Sequence, residues 1–264
     1  MPQRPIRCAR WTERREAQLS DFASAMFNNI FARLLGRFGL VIQPHAQNPG
    51  YTLLGLNRLK LGAVIDVGAN DGQFARYALK RFPEAALYCF EPLPQAFAKL
   101  ERWAHSKRDI HLFNMALGET KATAQMSLHS EHTPSSSLLA TTKLSGEIYP
   151  FTKKQEQIEV SVERLDDVLG DTVTLVQRPY LIKLDVQGFE GPVIRGGRSV
   201  FSRAAACVVE ISLDHLYEGQ STFKEIFSEL DSLSFNYVGN LGQVYSNDGH
   251  VIYLDAVFLR SAAD

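Results

Sequence analysis

Val64-Ile65-Asp66-Val67-Gly68-Ala69-Asn70-Asp71-Gly72 is the stretch that decides the fold. An apolar strand runs into a glycine-bounded turn, and from Gln73 onward the apolar residues fall at helical spacing. Strand, tight loop and helix in that order build the edge at which open α/β sheets bind nucleotide-bearing cofactors against backbone N–H groups at a helix N-terminus. The spacing is Gly-x-x-x-Gly and lacks the middle glycine of the dinucleotide fingerprint. It therefore favours a smaller cofactor with one carboxylate and one ribose over a pyrophosphate.

Outward from this stretch, short apolar strands alternate with helical segments, the pattern of a mostly parallel sheet covered on both faces. Strands are expected at 63–67, 86–90, 110–115, 180–185, 205–210, 236–245 and 251–259, and helices at 72–82, 94–105, 188–201 and 221–233. Asn247-Asp248-Gly249 between the last two strands favours a hairpin, hence an antiparallel end to the sheet. Segments near 123–129 and 158–162 read as extended, with a loop-like stretch at 130–150 between them. Its centre, Thr133-Pro134-Ser135-Ser136-Ser137-Leu138-Leu139, reads equally as a linker or as a lid over a site.

At 264 residues and 45% hydrophobic content, the chain can bury one substantial α/β core. A formal net charge of -1 offers no field for nucleic acid or an anionic surface as partner. Cys8, Cys89 and Cys207 are too widely spaced for a disulfide framework or a zinc site. The sequence has no apolar run of about 18 residues and no leader with a small-residue cleavage site, so a cytoplasmic protein is expected. Apolar residues at 11–40 recur at helical spacing and Gly36 and Gly39 end the pattern, giving an N-terminal helical extension over 1–50 and a main domain over 51–264. Packing on the main domain is favoured for that helix. The arginines before it, Arg4 to Arg15, also permit a membrane surface, a partner or a second copy.

Polar residues gather at the carboxyl ends of the strands. Strand 86–90 ends at Glu91, where a carboxylate accepts both hydroxyls of a ribose; capping of the next helix is the competing role. The third strand ends at Asn114-Met115-Ala116, beside the place of an adenine, and a solvated strand-end asparagine competes there. The fourth delivers Asp185, Gln187 and Glu190, and the fifth adds Glu210. Uncompensated carboxylates in such a crevice are costly, which marks them as candidate catalytic groups.

Taken in order, Ile65-Asp66-Val67-Gly68-Ala69-Asn70, Phe90-Glu91-Pro92, Ala116-Leu117-Gly118, Ser135-Ser136-Ser137-Leu138, Arg164-Leu165-Asp166-Asp167, the run Ile182 to Glu190 and Val209-Glu210 resemble the FkbM family of S-adenosylmethionine-dependent methyltransferases over about residues 60–260. The resemblance implies a Rossmann-like class I methyltransferase fold with a seven-stranded sheet. It also implies O-methylation of a sugar, glycan or polyketide-like small molecule. Carried over residue by residue, Asp66, Gly68, Ala69, Asn70 and Gly72 hold the methionine part of S-adenosylmethionine and Glu91 its ribose, with Asn114 and Ala116 beside the base. Asp185, Glu190 and Glu210 then face the methyl group or the acceptor.

Methyl transfer is an in-line displacement, so alignment dominates and a base removes the hydroxyl proton. Asp185 or Glu190 is the expected base, with His132 and His215 ranked below them as lone loop histidines. A divalent cation on Asp185, Glu190 and Glu210 is an alternative. A scaffold protein that keeps the fold and a nicotinamide oxidoreductase are the rival functions, the latter disfavoured by Asn70 in place of the middle glycine.

Overall fold

Every residue of the strand Ala63–Val67 is buried in the computed structural model, which describes residues 35–40, 44–172 and 178–261. A strand enclosed on both faces belongs in the middle of an α/β sheet, and its unbroken run of apolar residues around Asp66 follows from that position. The chain divides into two compact units, Met1–Asn48 and Pro49–Asp264, and all labelled elements belong to the second. The helix expected over 11–40 lies almost wholly outside the described residues. No helix among the described residues is long and apolar enough to cross a membrane.

A helical turn α1 (Pro49–Thr52) leads to β1 (Ala63–Val67), α2 (Gln73–Arg81), β2 (Ala86–Phe90), α3 (Pro94–Ala104) and β3 (Ile110–Phe113). The next elements are β4 (Ala116–Leu117), β5 (Ala122–Leu128), α4 (Lys143–Ile148), β6 (Glu156–Glu163) and α5 (Leu165–Leu169). The chain then returns through β7 (Tyr180–Leu184), α6 (Glu190–Gly196), α7 (Arg198–Phe201), β8 (Ala206–Ser212), α8 (Phe223–Ser232), β9 (Phe235–Tyr245) and β10 (Val251–Arg260). The main sheet has seven strands in the order β3-β2-β1-β7-β8-β10-β9. The pairs from β3 through to β8 are parallel, whereas β10 runs antiparallel to both β8 and β9.

Winding outward from β1 and then back through β7 leaves a topological switch between these two central strands, where open α/β sheets bind ligands. One face of the sheet is covered by Val193 and Ile194 of α6, Phe201 of α7, and Ile226 and Leu230 of α8. The other is covered by Ala75 and Ala78 of α2, Leu100 of α3, and Leu53 and Leu56. These two apolar layers hold the strand ends rigid at the switch.

Three details depart from the expected elements. The helix expected at 188–201 is broken at Gly197 into α6 and α7, and Gly196 lies so close to the Gly118 carbonyl that a Cβ would stand 1.8 Å from its oxygen. The third strand stops at Phe113, because Asn114 turns back to bind the loop after β2. The stretch 130–150 is not simply loop: it holds a 3-10 turn at Thr133–Ser135 and the helix α4, whose N-cap Thr142 accepts from the Ser145 amide. The flanking segments pair as a small sheet, β4-β6-β5, separate from the main one.

The chain segments that follow β1 and β7 also approach each other closely. Gly68 has φ +83 and a Cβ there would lie 1.9 Å from the Asp185 carbonyl oxygen, so backbone strain and a collision coincide. Gly219 also has a positive φ, +71, but has open space around it. Urea unfolding should therefore show Gly68→Ala destabilising by at least ~3 kcal/mol and Gly219→Ala by only about 1 kcal/mol. Equal losses would contradict the close approach.

Candidate active site

The loop after β1 uses its own amides. Gly68 and Ala69 N–H donate to the Phe90 carbonyl at 3.0 and 2.9 Å, Gly72 N–H to the Ala69 carbonyl at 2.8 Å, and Asn70 N–H to Glu91 Oε2 at 2.8 Å. These four N–H groups are thus engaged within the protein, closing the turn and tying β1 to the end of β2. Glu91 is locked in return, since its Oε1 accepts the Leu93 amide at 2.7 Å. Burial pushes the Glu91 carboxyl up to about 7 against the lowering effect of these two amides. Each carboxylate oxygen still has room for a further donor.

A cavity opens beside this loop, at the switch between β1 and β7. Of the residues expected to hold a cofactor, Gly68, Ala69, Asn70, Glu91, Ala116 and Asp185 line it. Met115, Leu117, Met126 and Phe189 add an apolar wall, and Thr133, Pro134, Ser136 and Leu138 form part of its lining from the inserted segment. Three expected residues do not line it. Asn114 donates its side-chain amide to the carbonyls of Glu91 and Pro92, at 2.9 and 3.1 Å, and so holds the β2 end in place of a base. Gly72 is packed toward Leu100 and Trp103 of α3.

Asp66 is enclosed beneath the loop, and neither of its oxygens has a hydrogen-bond partner among the described residues. Burial raises its pKa to about 6; the Lys183 charge opposes this and the Asp185 charge adds to it.

Lys183, on the central strand β7, is the residue whose role the sequence reading missed. Its Nζ donates to Asp185 Oδ2 at 2.5 Å and stands 5.5 Å from the Phe74 ring centre. Burial lowers the lysine pKa, but Asp185 and Asp66 outweigh it and the net shift is upward. A lysine inside the apolar run Tyr180 to Leu184 was the available signal, because a buried ammonium needs carboxylate partners.

Gln187, read from the sequence only as one of three polar side chains at the end of the fourth strand, organises the next layer. Its Nε2 donates to Asp185 Oδ1 at 2.7 Å and to Glu210 Oε1 at 2.6 Å, while its Oε1 lies 2.7 Å from the Tyr217 hydroxyl. Its backbone is held at φ +54, a left-handed conformation uncommon for a side chain of this kind. Glu210 is raised well above the usual carboxylate range, first by burial and then by the Asp185 charge.

These residues border a second cavity of about 280 Å³, lined also by Gln73, Pro134, Ser135, Tyr149, Phe151, Ser212 and Tyr253. Gln73, Pro134 and Asp185 line both cavities, so the two adjoin at Asp185.

The expected catalytic carboxylates separate here. Asp185 and Glu210 meet through Gln187, whereas Glu190 lines neither cavity. Glu190 is buried and its Oε1 accepts the amides of Val186 and Gly188, at 3.2 and 3.1 Å, so it braces the loop and is not available as a base. That orientation also dismantles the trio considered for a cation, and among the described residues no three His, Cys, Asp or Glu side chains group to hold one. His132 lines the second cavity, with Nδ1 2.9 Å from Ser135 Oγ and its ring 4.7 Å from that of Phe151. His215 lines neither and serves through its carbonyl, which accepts the Thr142 hydroxyl.

A seven-stranded sheet of this order with a cavity at the β1–β7 switch defines a Rossmann-like methyltransferase of the class I type. The family model described as the methyltransferase FkbM domain matches residues 66–237, and the chain belongs to that family. Among curated proteins it is similar to the 2-O-methyltransferase NoeI of Sinorhizobium fredii, 30% identical over 178 residues that cover 64% of this chain and 71% of NoeI. It is also similar to the 31-O-demethyl-FK506 methyltransferase FkbM of Streptomyces tacrolimicus, 28% identical over 153 residues, 50% of this chain and 58% of that protein's length. Among solved structures, a methyltransferase FkbM from Methylobacillus flagellatus KT matches with a TM-score of 0.50 at 14% identity, covering 82% of this chain and 48% of the other. That likeness bears on the fold.

Burial pushes Asp66 up to about 6 and Glu91 and Glu190 up to about 7, so the folded chain retains protons that the unfolded chain releases above about pH 4.3. Their contribution to stability is complete below that pH and is lost as pH rises through 6 to 7. Urea titrations without ligand should show lower stability at pH 8 than at pH 5, and Glu190→Gln should shrink the difference. A rise in stability from pH 5 to 8 would contradict these shifts.

Proposed function

We propose that this chain transfers a methyl group from S-adenosylmethionine to a hydroxyl oxygen of a sugar, glycan or polyketide-like acceptor, with Asp185 accepting the hydroxyl proton. The observation that carries this reading is the meeting of the two cavities at Asp185, which lets a donor on one side face an acceptor on the other. Two relatives whose names specify 2-O- and 31-O-methyl chemistry support oxygen as the methylated atom.

The residues of the first cavity fit the cofactor. Glu91 has spare acceptor positions for a ribose diol, Met115, Leu117, Met126 and Phe189 suit a flat base, and Asn70, Gln73 and Thr133 offer polar groups for an amino-acid end. Bound there, S-adenosylmethionine would supply a methyl group made electrophilic by its sulfonium. The chain's own part is to align and to take a proton. Lys183 and Gln187 fix the Asp185 carboxylate through one oxygen each, leaving lone pairs directed at an acceptor hydroxyl. Gln187 links Asp185 to Glu210, so the two carboxylates act as one hydrogen-bonded unit.

Asp185→Asn keeps the shape and removes the proton acceptor. Turnover should fall by ~10²-fold or more, while calorimetry shows S-adenosylmethionine binding within a few-fold of the unaltered protein. Unchanged turnover would eliminate Asp185 as the base, and failure of the unaltered protein to bind S-adenosylmethionine would eliminate the whole reading.

Residues 133–139 serve as a lid in this reading. Thr133 donates to the Asn70 side chain at 3.2 Å and Ser137 to the Gln187 carbonyl at 2.7 Å, side-chain ties that can break and re-form. Hydrogen exchange at 133–139 should slow when S-adenosylhomocysteine is added; identical exchange with and without it would count against a lid.

A further inference from the structure

Near the end of β8, Glu210 is half-buried and lines the second cavity. Its Oε1 accepts from Gln187 Nε2 at 2.6 Å, and the same nitrogen donates to Asp185 Oδ1 at 2.7 Å. One amide thus holds two carboxyl groups side by side. They are not equivalent, because the nearby ammonium is committed to one of them: Lys183 Nζ donates to Asp185 Oδ2 at 2.5 Å. Among the described residues, Glu210 has no ion-pair partner and its Oε2 makes no hydrogen bond. Nor is that oxygen shut away, since the polar atoms enclosed without a partner belong to Asp66, His129 and Tyr149. Glu210 Oε2 is therefore open to the cavity that its residue lines.

The surroundings of Glu210 favour its neutral form. Asp255 is its register partner on β10, and a carboxyl at that place penalises a charge on Glu210. Tyr253 of β10, Tyr217 after β8 and Tyr149 after α4 face it with hydroxyl groups, while His132 lines the same cavity with Nδ1 on Ser135 Oγ. Lys183 acts the other way, but burial and the Asp185 charge outweigh it and raise the Glu210 carboxyl. The negative charge of the pair rests on Asp185, beside the ammonium, and the proton on Glu210. A carboxyl kept neutral by its site is a hydrogen-bond donor. The cavity around it, of about 280 Å³, suits a single ring.

We propose that Glu210 works as a neutral carboxylic acid that donates a hydrogen bond from Oε2 to the acceptor, and that the acceptor carries an oxygen on the carbon next to the hydroxyl that is methylated. This rests on the methyl-transfer reading above and deepens it by naming the acceptor's second contact and its chemistry. Asp185 and Glu210 share one amide nitrogen, so together they reach neighbouring oxygens of one ring. Asp185 accepts from the hydroxyl that reacts, and Glu210 donates to the oxygen beside it, which needs only a lone pair. Glu210 keeps its proton throughout, and the proton released in methyl transfer goes to Asp185.

The test uses the full chain, labelled S-adenosylmethionine, and methyl glucoside, methyl galactoside and methyl rhamnoside, with deoxy analogues of the best of the three. At pH 7 the infrared carbonyl band of protonated carboxyl groups should be weaker in Glu210→Gln than in the unaltered protein. Glu210→Ala should raise KM for the best glycoside ~10-fold, with kcat within about 3-fold and S-adenosylmethionine affinity unchanged by calorimetry. Glu210→Gln supplies an amide that accepts from Gln187 and donates to the ligand as the neutral acid does, so it should recover most of the kcat/KM that Glu210→Ala loses. The deoxy analogue lacking the neighbouring oxygen should be used equally well by the unaltered protein and by Glu210→Ala. A carbonyl band of equal strength, an unchanged KM in Glu210→Ala, or a Glu210→Gln protein as impaired as Glu210→Ala overturns the inference. Absence of transfer to every glycoside while S-adenosylmethionine still binds overturns it too, and leaves the methyl-transfer reading standing. Loss of cofactor binding in the unaltered chain overturns that reading itself.

Discussion

The arrangement depends on one buried cation. Lys183 is only 7% exposed, in the central strand of the sheet, where an ammonium without partners would be prohibitively unfavourable. Its register partner on β1 is Asp66, beneath the glycine loop, and its hydrogen-bond partner is Asp185, at the strand's end. One charge therefore couples the loop that shapes the first cavity to the carboxylate at which both cavities meet. Removing it would leave two carboxylates facing each other across the switch with no counterion.

From that pair the two chambers divide the work. The first is built by β1, β2 and the loops after them, where backbone amides are spent on Phe90 and Glu91 and the geometry is fixed before any ligand arrives. The second is built by the ends of β7 and β8, roofed by residues of the inserted segment between β5 and β6. Residues of the inserted segment line both cavities, and the segment is held by backbone pairing of Ser137 with Ser127 as well as by side-chain hydrogen bonds.

The sequence made the sheet legible because its signals are local. Apolar runs, the Gly68 turn and the Asn-Asp-Gly hairpin each specify an element without reference to the rest of the chain, and the ordered motifs indicated the family. Contacts between distant segments were not legible. Glu190 follows Asp185 closely and reads as its companion, yet a turn through Gln187 and Gly188, both at positive φ, directs it into its own loop. Glu210 and Tyr217 reach Asp185 only because β8 pairs with β7 and Gln187 bridges the gap. Asn114 carried a strand-end signal, but what it binds is settled by the neighbouring strand's carbonyls.

The central claim is that the β1–β7 switch holds S-adenosylmethionine with its methyl group turned toward Asp185. A crystal structure of the chain with S-adenosylhomocysteine tests it most directly. The account predicts the ribose hydroxyls on Glu91, the base against Met115 and Phe189, and the thioether sulfur facing Asp185 at the mouth of the second cavity. A ligand seated elsewhere, or one whose sulfur points away from Asp185, would contradict it.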